Sequence, residues 1–447
     1  MKSIPDFLKE SPLGQAGLVV LSRLREAGHQ ALLAGGCVRD LLLGIVPKDL
    51  DVATSAKPEV VQRLFPKNRA VGAHFGVILV REQERDFEVA TFRTEGSYQD
   101  GRRPESVQFS TAEEDAQRRD FTINGLFFDP FGEQILDFVG GQADLDAGLL
   151  RAIGKAWERF QEDRLRLLRC IRFAARLNFR IEEATWTALK REAPGIEEIS
   201  VERIREELNA ILLAPSRVQG FDLLDDSSLL SLILPEVAAL KGCEQPPEFH
   251  PEGDVFVHTR LMLSLLAEDV PLEVVWAVLL HDIGKVPTRV VDETGRARFN
   301  AHEKVGARMA EKVLGRLRFS THQTQRIVEA VEQHMAFKDV QQMRAAKLRR
   351  FMARPGFDDE LELHRVDCTS SHGMLDNHEF LLAKQEEFAN EPIIPEPLIT
   401  GRDLIEAGWS PGPRFKEVLE AVQTAQLEGN LSSREEALEW VAQNYGL

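Results

Sequence analysis

The chain has 447 residues, 43% of them hydrophobic and 28% charged, which gives room for roughly two to four domains that fold around their own cores. No apolar run approaches the length of a membrane helix, and the opening Met1-Lys2-Ser3-Ile4-Pro5-Asp6 has no signal-peptide core. The four cysteines, Cys37, Cys170, Cys243 and Cys368, are far apart, which favours reduced thiols in a cytoplasm over a disulfide frame, and a net charge of −17 taken alone argues against a nucleic-acid partner.

Residues 11–29 read as a helix ending at Gly28, followed by a strand over Ala31-Leu32-Leu33-Ala34. Gly35-Gly36 then lets the backbone approach a ligand closely, and Val38 to Leu43, with Arg39, reads as a short helix whose N-terminus can hold a phosphate. Asp49 to Ala53 is expected as a second strand. Side chains at i and i+2 of a strand share a face, so Asp49 and Asp51 would project together while Leu50 packs inward. Two adjacent carboxylates repel unless a cation sits between them, and hard oxygen ligands suit Mg²⁺ carrying substrate phosphates. A nucleoside triphosphate and its metal fit that arrangement.

Phe75 to Val80 and Phe87 to Phe92 read as strands joined by the polar turn Arg81-Glu82-Gln83-Glu84-Arg85. Glu88, an acid inside the second apolar strand, is placed to join Asp49 and Asp51 as a third carboxylate. Residues 94–107 read as a mobile loop, and from about 155 onward the pattern is helical almost throughout. Pro/Gly clusters at 242–253 and 392–401 mark boundaries, and there is no internal repeat.

The acidic total hides a basic stretch. Residues 151–180 hold nine Lys/Arg against three acids, a local charge of +6. Arg169, Arg172, Arg176 and Arg180 recur every three or four residues, so they are predicted to share one helix face, without acids spaced to neutralise it. A nucleic acid or a nucleotide fits such a face.

Five motifs in order carry a resemblance. Gly35-Gly36-x-x-Arg39-Asp40 with Asp49-x-Asp51 is the first, and Arg118-Arg119-Asp120-Phe121-Thr122-Ile123-Asn124-Gly125 the second. Gly140-Gly141-x-x-Asp144-Leu145 to Leu150-Arg151 is the third, Glu162-Asp163-Arg164-Leu165-Arg166-Leu167-Leu168-Arg169 the fourth, and Ser200-Val201-Glu202-Arg203-Ile204 the fifth. The chain resembles the bacterial class II tRNA nucleotidyltransferases, the CCA-adding family related to bacterial poly(A) polymerase. The resemblance implies an α+β fold: a mixed-sheet nucleotidyltransferase head at 1–140, a helical neck at 141–245, an HD domain at 246–390 and a tRNA-binding helical tail at 391–447. It implies a nucleotide site of Gly35, Gly36, Arg39, Arg119, Asp120, Asn124, Asp163, Arg166, Arg169 and Arg172, with Asp120 near the ribose. The family usually has alanine where this chain has Gly125, a departure expected to have little effect.

The fourth motif has its own physics. Asp163 and Arg166, at i and i+3 of an expected helix, would lie side by side, the carboxylate accepting and the guanidinium donating in a fixed fork. Cytosine and adenine each show an amino donor beside a ring-nitrogen acceptor. One protein pair can therefore read both and reject G and U.

His258, His281-Asp282, His302, His334 and Asp367 form a second constellation that resembles the HD phosphohydrolase superfamily. Adjacent His and Asp on a helix, joined by ligands from other helices, suit a divalent metal of unspecified identity with open positions for water and phosphate. The expected activity is template-independent addition of C and A to the 3′ end of tRNA from CTP and ATP. The rivals are an enzyme adding only CC or only A, a poly(A) polymerase, and a protein that is chiefly an HD hydrolase. Tyr98-Gln99-Asp100-Gly101-Arg102-Arg103-Pro104, present here, favours A addition.

Overall fold

The computed structural model describes residues 4–72, 76–95, 107–248, 250–389 and 392–446. It divides into two compact units, Met1–Pro235 and Glu236–Leu447. The expected loop with Tyr98–Pro104 lies outside the described residues, as do residues 73–75 at the start of the expected strand Phe75–Val80.

The first unit opens with helices Ile4–Glu10 and Pro12–Glu26. Ser11 caps the second, its hydroxyl accepting from the Gly14 N–H at 2.8 Å, with Pro12 in the first turn where no donor is needed. Nine strands follow: β1 Ala31–Ala34, β2 Val52–Thr54, β3 Asn68–Gly72, β4 Val77–Glu82, β5 Arg85–Thr91, β6 Arg93–Glu95, β7 Val107–Phe109, β8 Leu126–Asp129 and β9 Gln134–Asp137. Seven of them form one mixed sheet in the order β3-β4-β5-β2-β1-β8-β9, in which only β2 and β5 run parallel. β6 and β7 pair as a separate ribbon. Central β1 is buried along its whole length. One core cluster gathers Leu32, Ala34, Ala53, Phe92 and Phe127, and the helix Pro12–Glu26 packs Val20, Leu21 and Leu24, all fully buried, against the sheet.

The β4–β5 hairpin closes tightly. Glu82 faces Arg85, and the two residues between, Gln83 and Glu84, have φ of 48° and 58°. This is the left-handed pair that matches strand twist in two-residue hairpins, here without the usual glycine.

Two expected elements are corrected. The strand expected at Asp49–Ala53 begins only at Val52, so both aspartates lie in the irregular segment that feeds β2. The expected alternation survives there: Leu50 is fully buried between an exposed Asp49 and a half-buried Asp51. The short helix expected at Val38–Leu43 starts earlier, at Gly36, and runs to Leu42.

Beyond the sheet, the helix Arg166–Leu177 packs Leu167, Leu168, Ile171 and Ala174 against helices Val201–Leu212 and Arg217–Asp226. Asn178 at φ 55° ends it. The second unit is helical except for a small ribbon, Arg289–Val291 with Ala297–Phe299. Its helices Val255–Leu265, Leu272–Leu280, His302–Arg316, Thr321–Gln333 and Phe357–Ser370 surround a core that includes fully buried Trp276. The last three helices, from Gly401 to Tyr445, close over Leu404, Val418, Val422 and Val441.

Candidate functional site

A cavity of about 490 Å³ opens in the first unit. Gly35, Gly36, Arg39, Asp51, Glu88, Arg119, Asp120, Asn124, Asp163, Arg166 and Arg169 all line it; Asp49 and Arg172 do not. The carboxylate end is built by the parallel pairing of β2 and β5. Val52 pairs with Val89, so the preceding residues, Asp51 and Glu88, emerge side by side. Burial, then the charges of Asp49 and Glu88, raise the Asp51 carboxyl to about 6. A carboxylate crowded by two others in this way is what a divalent cation relieves.

Gly35 is forced by geometry. Its φ is +69°, and a Cβ there would sit 2.6 Å from the Arg119 guanidinium. Arg119 is held in turn by Asp115 at 3.1 Å and the Asn124 carbonyl at 3.2 Å. Arg39, nearly fully buried, donates to Asp40 at 2.6 Å and to the Asn124 amide oxygen.

The arginine face is corrected in two respects. Arg180 is not on the helix, which ends at Leu177, but on a two-residue strand. The other three arginines are neutralised by acids from elsewhere in the fold: Arg169 by Asp120 at 2.6 Å, Arg172 by Glu207 at 2.6 Å and Arg176 by Asp40 at 2.7 Å. Helix spacing revealed no partner because the partners are 49, 35 and 136 residues away. Burial would raise the Asp120 carboxyl, but Arg169 and the Asn124 amide hold it well below the usual range. Both Asp120 oxygens are engaged, Oδ1 by Asn124 and the Phe121 N–H, Oδ2 by Arg169.

Phe173, which the motifs did not single out, sits among these arginines. Arg39, Arg169 and Arg172 lie 5.0, 5.3 and 4.4 Å from its ring centroid. The one available signal was an aromatic embedded in an arginine-rich helix.

Asp163 and Arg166 are not i,i+3 neighbours on one helix. The helix Ala156–Glu162 ends at Asp163, which is extended with φ −140°, and the next helix begins at Arg166. Asp163 accepts from the Leu165 N–H at 3.0 Å and from Arg203 at 3.2 Å. Arg166 donates to Glu162 at 2.6 Å and to the Arg159 carbonyl at 3.0 Å. Both face the cavity, each from its own support.

The Gly125 departure is likewise tighter than expected. A Cβ would lie 2.6 Å from a Val139 methyl, so alanine fits only if Val139 yields.

In the second unit, His258, His281, Asp282, His302, His334 and Asp367 converge. His281 and Asp282 stand just beyond the helix Leu272–Leu280 rather than on it. Gly284 allows the start of the next ligand helix to close on this turn, since a Cβ there would meet the His302 carbonyl at 2.1 Å. His258, His281 and Asp282 form one ligand triad, and Asp282, His302 and His334 another. His281, His302 and His334 direct Nδ1 at the carbonyls of Val278, Phe299 and Val331, at 2.8, 2.9 and 2.6 Å. Each Nε2 is thereby left as a lone pair facing the cluster. Both Asp282 oxygens and His281 Nε2 are buried without a hydrogen bond of good geometry among the described residues, although Lys285 Nζ lies 2.7 Å from Oδ2. This donor set fits a divalent metal.

Burial, then the neighbouring His281, push His334 down to about 3. Burial would also lower His258, but hydrogen bonds to Asp367 and Glu252 raise it to about 9. A cavity of about 290 Å³ leads in, lined by Asp282, His302, His334 and Asp367 with Lys285 and His250. His250 and Glu252 were not anticipated, because they lie in a Pro/Gly-rich stretch that reads as a boundary.

Three family models match successive parts of the chain: a Poly A polymerase head domain at 31–151, a probable RNA and SrmB-binding site of polymerase A at 178–241, and an HD domain at 255–367. The chain is 39% identical over 289 residues to a CCA-adding enzyme of Geobacillus kaustophilus, a stretch covering 64% of this chain and 69% of that one. It is 46% identical over 211 residues to one of Streptococcus mutans, 47% of this chain and 52% of that one. Among solved structures it is similar to the Bacillus stearothermophilus CCA-adding enzyme in complex with CTP, at 27% identity and TM-score 0.73 over 97% of this chain and 98% of that one. It shares the fold of the Thermotoga maritima CCA-adding enzyme complexed with tRNA, at 22% identity and TM-score 0.64 over 99% of this chain and 98% of that one.

Proposed function

The chain belongs to the family of CCA-adding enzymes, and from that premise we propose that it adds C and A to the 3′ end of tRNA from CTP and ATP, releasing pyrophosphate without a nucleic-acid template. The observation that carries the reading is one cavity with Asp51 and Glu88 at one end and the Asp163–Arg166 pair among its walls. Asp49, Asp51 and Glu88 would hold Mg²⁺, which when bound lowers the proton affinity of the attacking 3′-hydroxyl and neutralises charge developing on the α-phosphate. Arg39 and Arg119, fixed by Asp40, Asp115 and Asn124, align the triphosphate so that the hydroxyl meets the α-phosphate in line. Arg169 shares the ribose edge with Asp120, a contact that separates ribonucleotides from deoxyribonucleotides. Asp163 and Arg166 read the base edge.

A second reading concerns the second unit, where the convergent imidazoles and the open cavity favour a hydrolase acting on phosphate esters. His258, His281, Asp282, His302, His334 and Asp367 would hold its divalent metal, supplying an activated water and polarising the phosphate. We place the protein in the cytoplasm: the four cysteines are free and buried, and no described helix is long and apolar enough to cross a membrane.

The test is purified protein with tRNA lacking CCA, ending in C, or ending in CC, given CTP and ATP separately and together. CTP alone should extend the first two substrates to CC, and ATP should complete the third. Extension by A alone, or by CC alone, identifies a partial enzyme; processive A addition identifies a poly(A) polymerase.

A further inference from the structure

Three of the four histidines in the second-unit cluster are oriented in one way, each donating Nδ1–H to the carbonyl three residues earlier. His258 is the exception. The equivalent carbonyl, that of Val255, is taken by the Thr259 hydroxyl at 2.9 Å. His258 Nδ1 instead lies 2.7 Å from Oε1 of Glu252, ahead of the helix cap Asp254. Glu252 has a side chain only 7% exposed. The same oxygen receives His250 Nδ1 at 2.9 Å, and Ser370 Oγ lies 3.3 Å from His258 Nδ1. On its far side, His258 Nε2 is 3.2 Å from Asp367.

We propose that Glu252 is the positioning residue of the metal centre: it fixes His258 with Nε2 turned to the ion and makes this imidazole the centre's strongest neutral donor. The proposal rests on the metal-binding reading of the cluster. An ionised carboxylate only accepts, so Nδ1 carries a hydrogen; Nε2, beside Asp367 at 3.2 Å, gives up its own proton when an ion binds and then supplies the lone pair. A carboxylate partner polarises the ring more than a carbonyl does, because one member of the hydrogen bond is charged. The three carbonyl-held histidines are oriented only; His258 is oriented and also polarised by a carboxylate from behind. The loop that supplies Glu252 also brings His250 to the cavity wall, so a single carboxylate ties a residue of that wall to the fully buried His258.

The experiment uses the full chain carrying Asp49→Ala and Asp51→Ala, so that the head contributes no ion, with Co²⁺ as the probe. Affinity is measured by chelator competition, coordination by the visible absorption of Co²⁺, and fold by metal-free melting. Glu252→Gln keeps the size and an acceptor oxygen but removes the charge. It should weaken Co²⁺ binding by about 10- to 100-fold and shift the absorption bands, with the stoichiometry and the metal-free melting temperature kept. Glu252→Asp should recover part of the affinity. If the parent binds Co²⁺, His281→Ala loses it and Glu252→Gln binds as tightly as the parent, the role of Glu252 is overturned while the metal reading stands. If the parent and His281→Ala both bind none, the metal reading itself fails. Should Glu252→Gln also melt lower without metal, recovery in Glu252→Asp supports the proposal and absence of recovery overturns it.

Discussion

Asp51 sits where folding and function pull against each other. Its carboxyl is raised to about 6 by burial, Asp49 and Glu88, whereas an unfolded aspartate titrates near 3.9. The folded chain therefore holds this proton more tightly than the unfolded one. Stability is lost as pH rises from about 4 to about 6, and above 6 the full penalty remains unless a cation is bound. In chelator, Asp51→Asn should melt higher than the parent above pH 6, by the equivalent of about 1–3 kcal/mol, and the difference should vanish near pH 4. Calorimetric melting across that range checks it. Nucleotide addition should be abolished in Asp51→Asn, as in Asp49→Ala and Asp51→Ala, with the fold intact; substantial incorporation by any of them removes the pair from the chemistry. Gly125 makes a second residue-scale case. Gly125→Ala should cost about 1–3 kcal/mol by overpacking against Val139, and adding Val139→Ala should return part of that in a double-mutant cycle. Equal losses with and without Val139 would show that the tight contact does not matter.

At the scale of elements, the helix break at Asp163 changes what the proposed base reader is made of. The acceptor hangs between two helices and is steadied by Arg203, while the donor stands on the second helix and is steadied by Glu162. Asp163→Ala and Arg166→Ala should relax the choice among CTP, ATP, UTP and GTP, at about 1–3 kcal/mol of discrimination. Arg203→Ala should follow Asp163→Ala in direction with a smaller effect, and competition assays separate these outcomes. If every variant slows all four nucleotides equally, the pair is structural. The strands beside Gly35 and Glu88 were readable because short apolar runs are a local signal, continuous in β1 and alternating in β5. The Asp163 break was not readable, since Glu162-Asp163-Arg164-Leu165-Arg166 contains neither proline nor glycine. The partners of Arg169, Arg172 and Arg176 were hidden for a different reason: ion pairs across 35 to 136 residues leave no periodic trace. The six His and Asp residues of the second-unit cluster were legible as spaced letters, but Glu252 was not, because the role proposed for it depends on a carbonyl already taken by Thr259.

At the scale of the molecule, the cavity lined by Asp51, Glu88 and Arg119 belongs to Met1–Pro235 and the histidine cluster to Glu236–Leu447. His281→Ala with Asp282→Ala should remove the second-unit metal and any hydrolysis of a 2′,3′-cyclic phosphate, while CTP and ATP incorporation persists. Metal content, hydrolysis and incorporation on one preparation decide it, and collapse of incorporation at an unchanged melting temperature would show the sites to be coupled. The internal pairing of Arg169, Arg172 and Arg176 with Asp120, Glu207 and Asp40 has a consequence for how the chain meets a polyanion. Arginines already neutralised from within release few condensed counterions when RNA arrives, and the acidic total gives little long-range attraction. Binding of tRNA should therefore respond shallowly to ionic strength, with a slope of log affinity against log salt between roughly −1 and −3. Raising KCl from about 50 to about 200 mM would then weaken the complex by less than about 100-fold, so that recognition rests on fit more than on charge; a thousandfold loss would instead reveal a basic surface outside this helix.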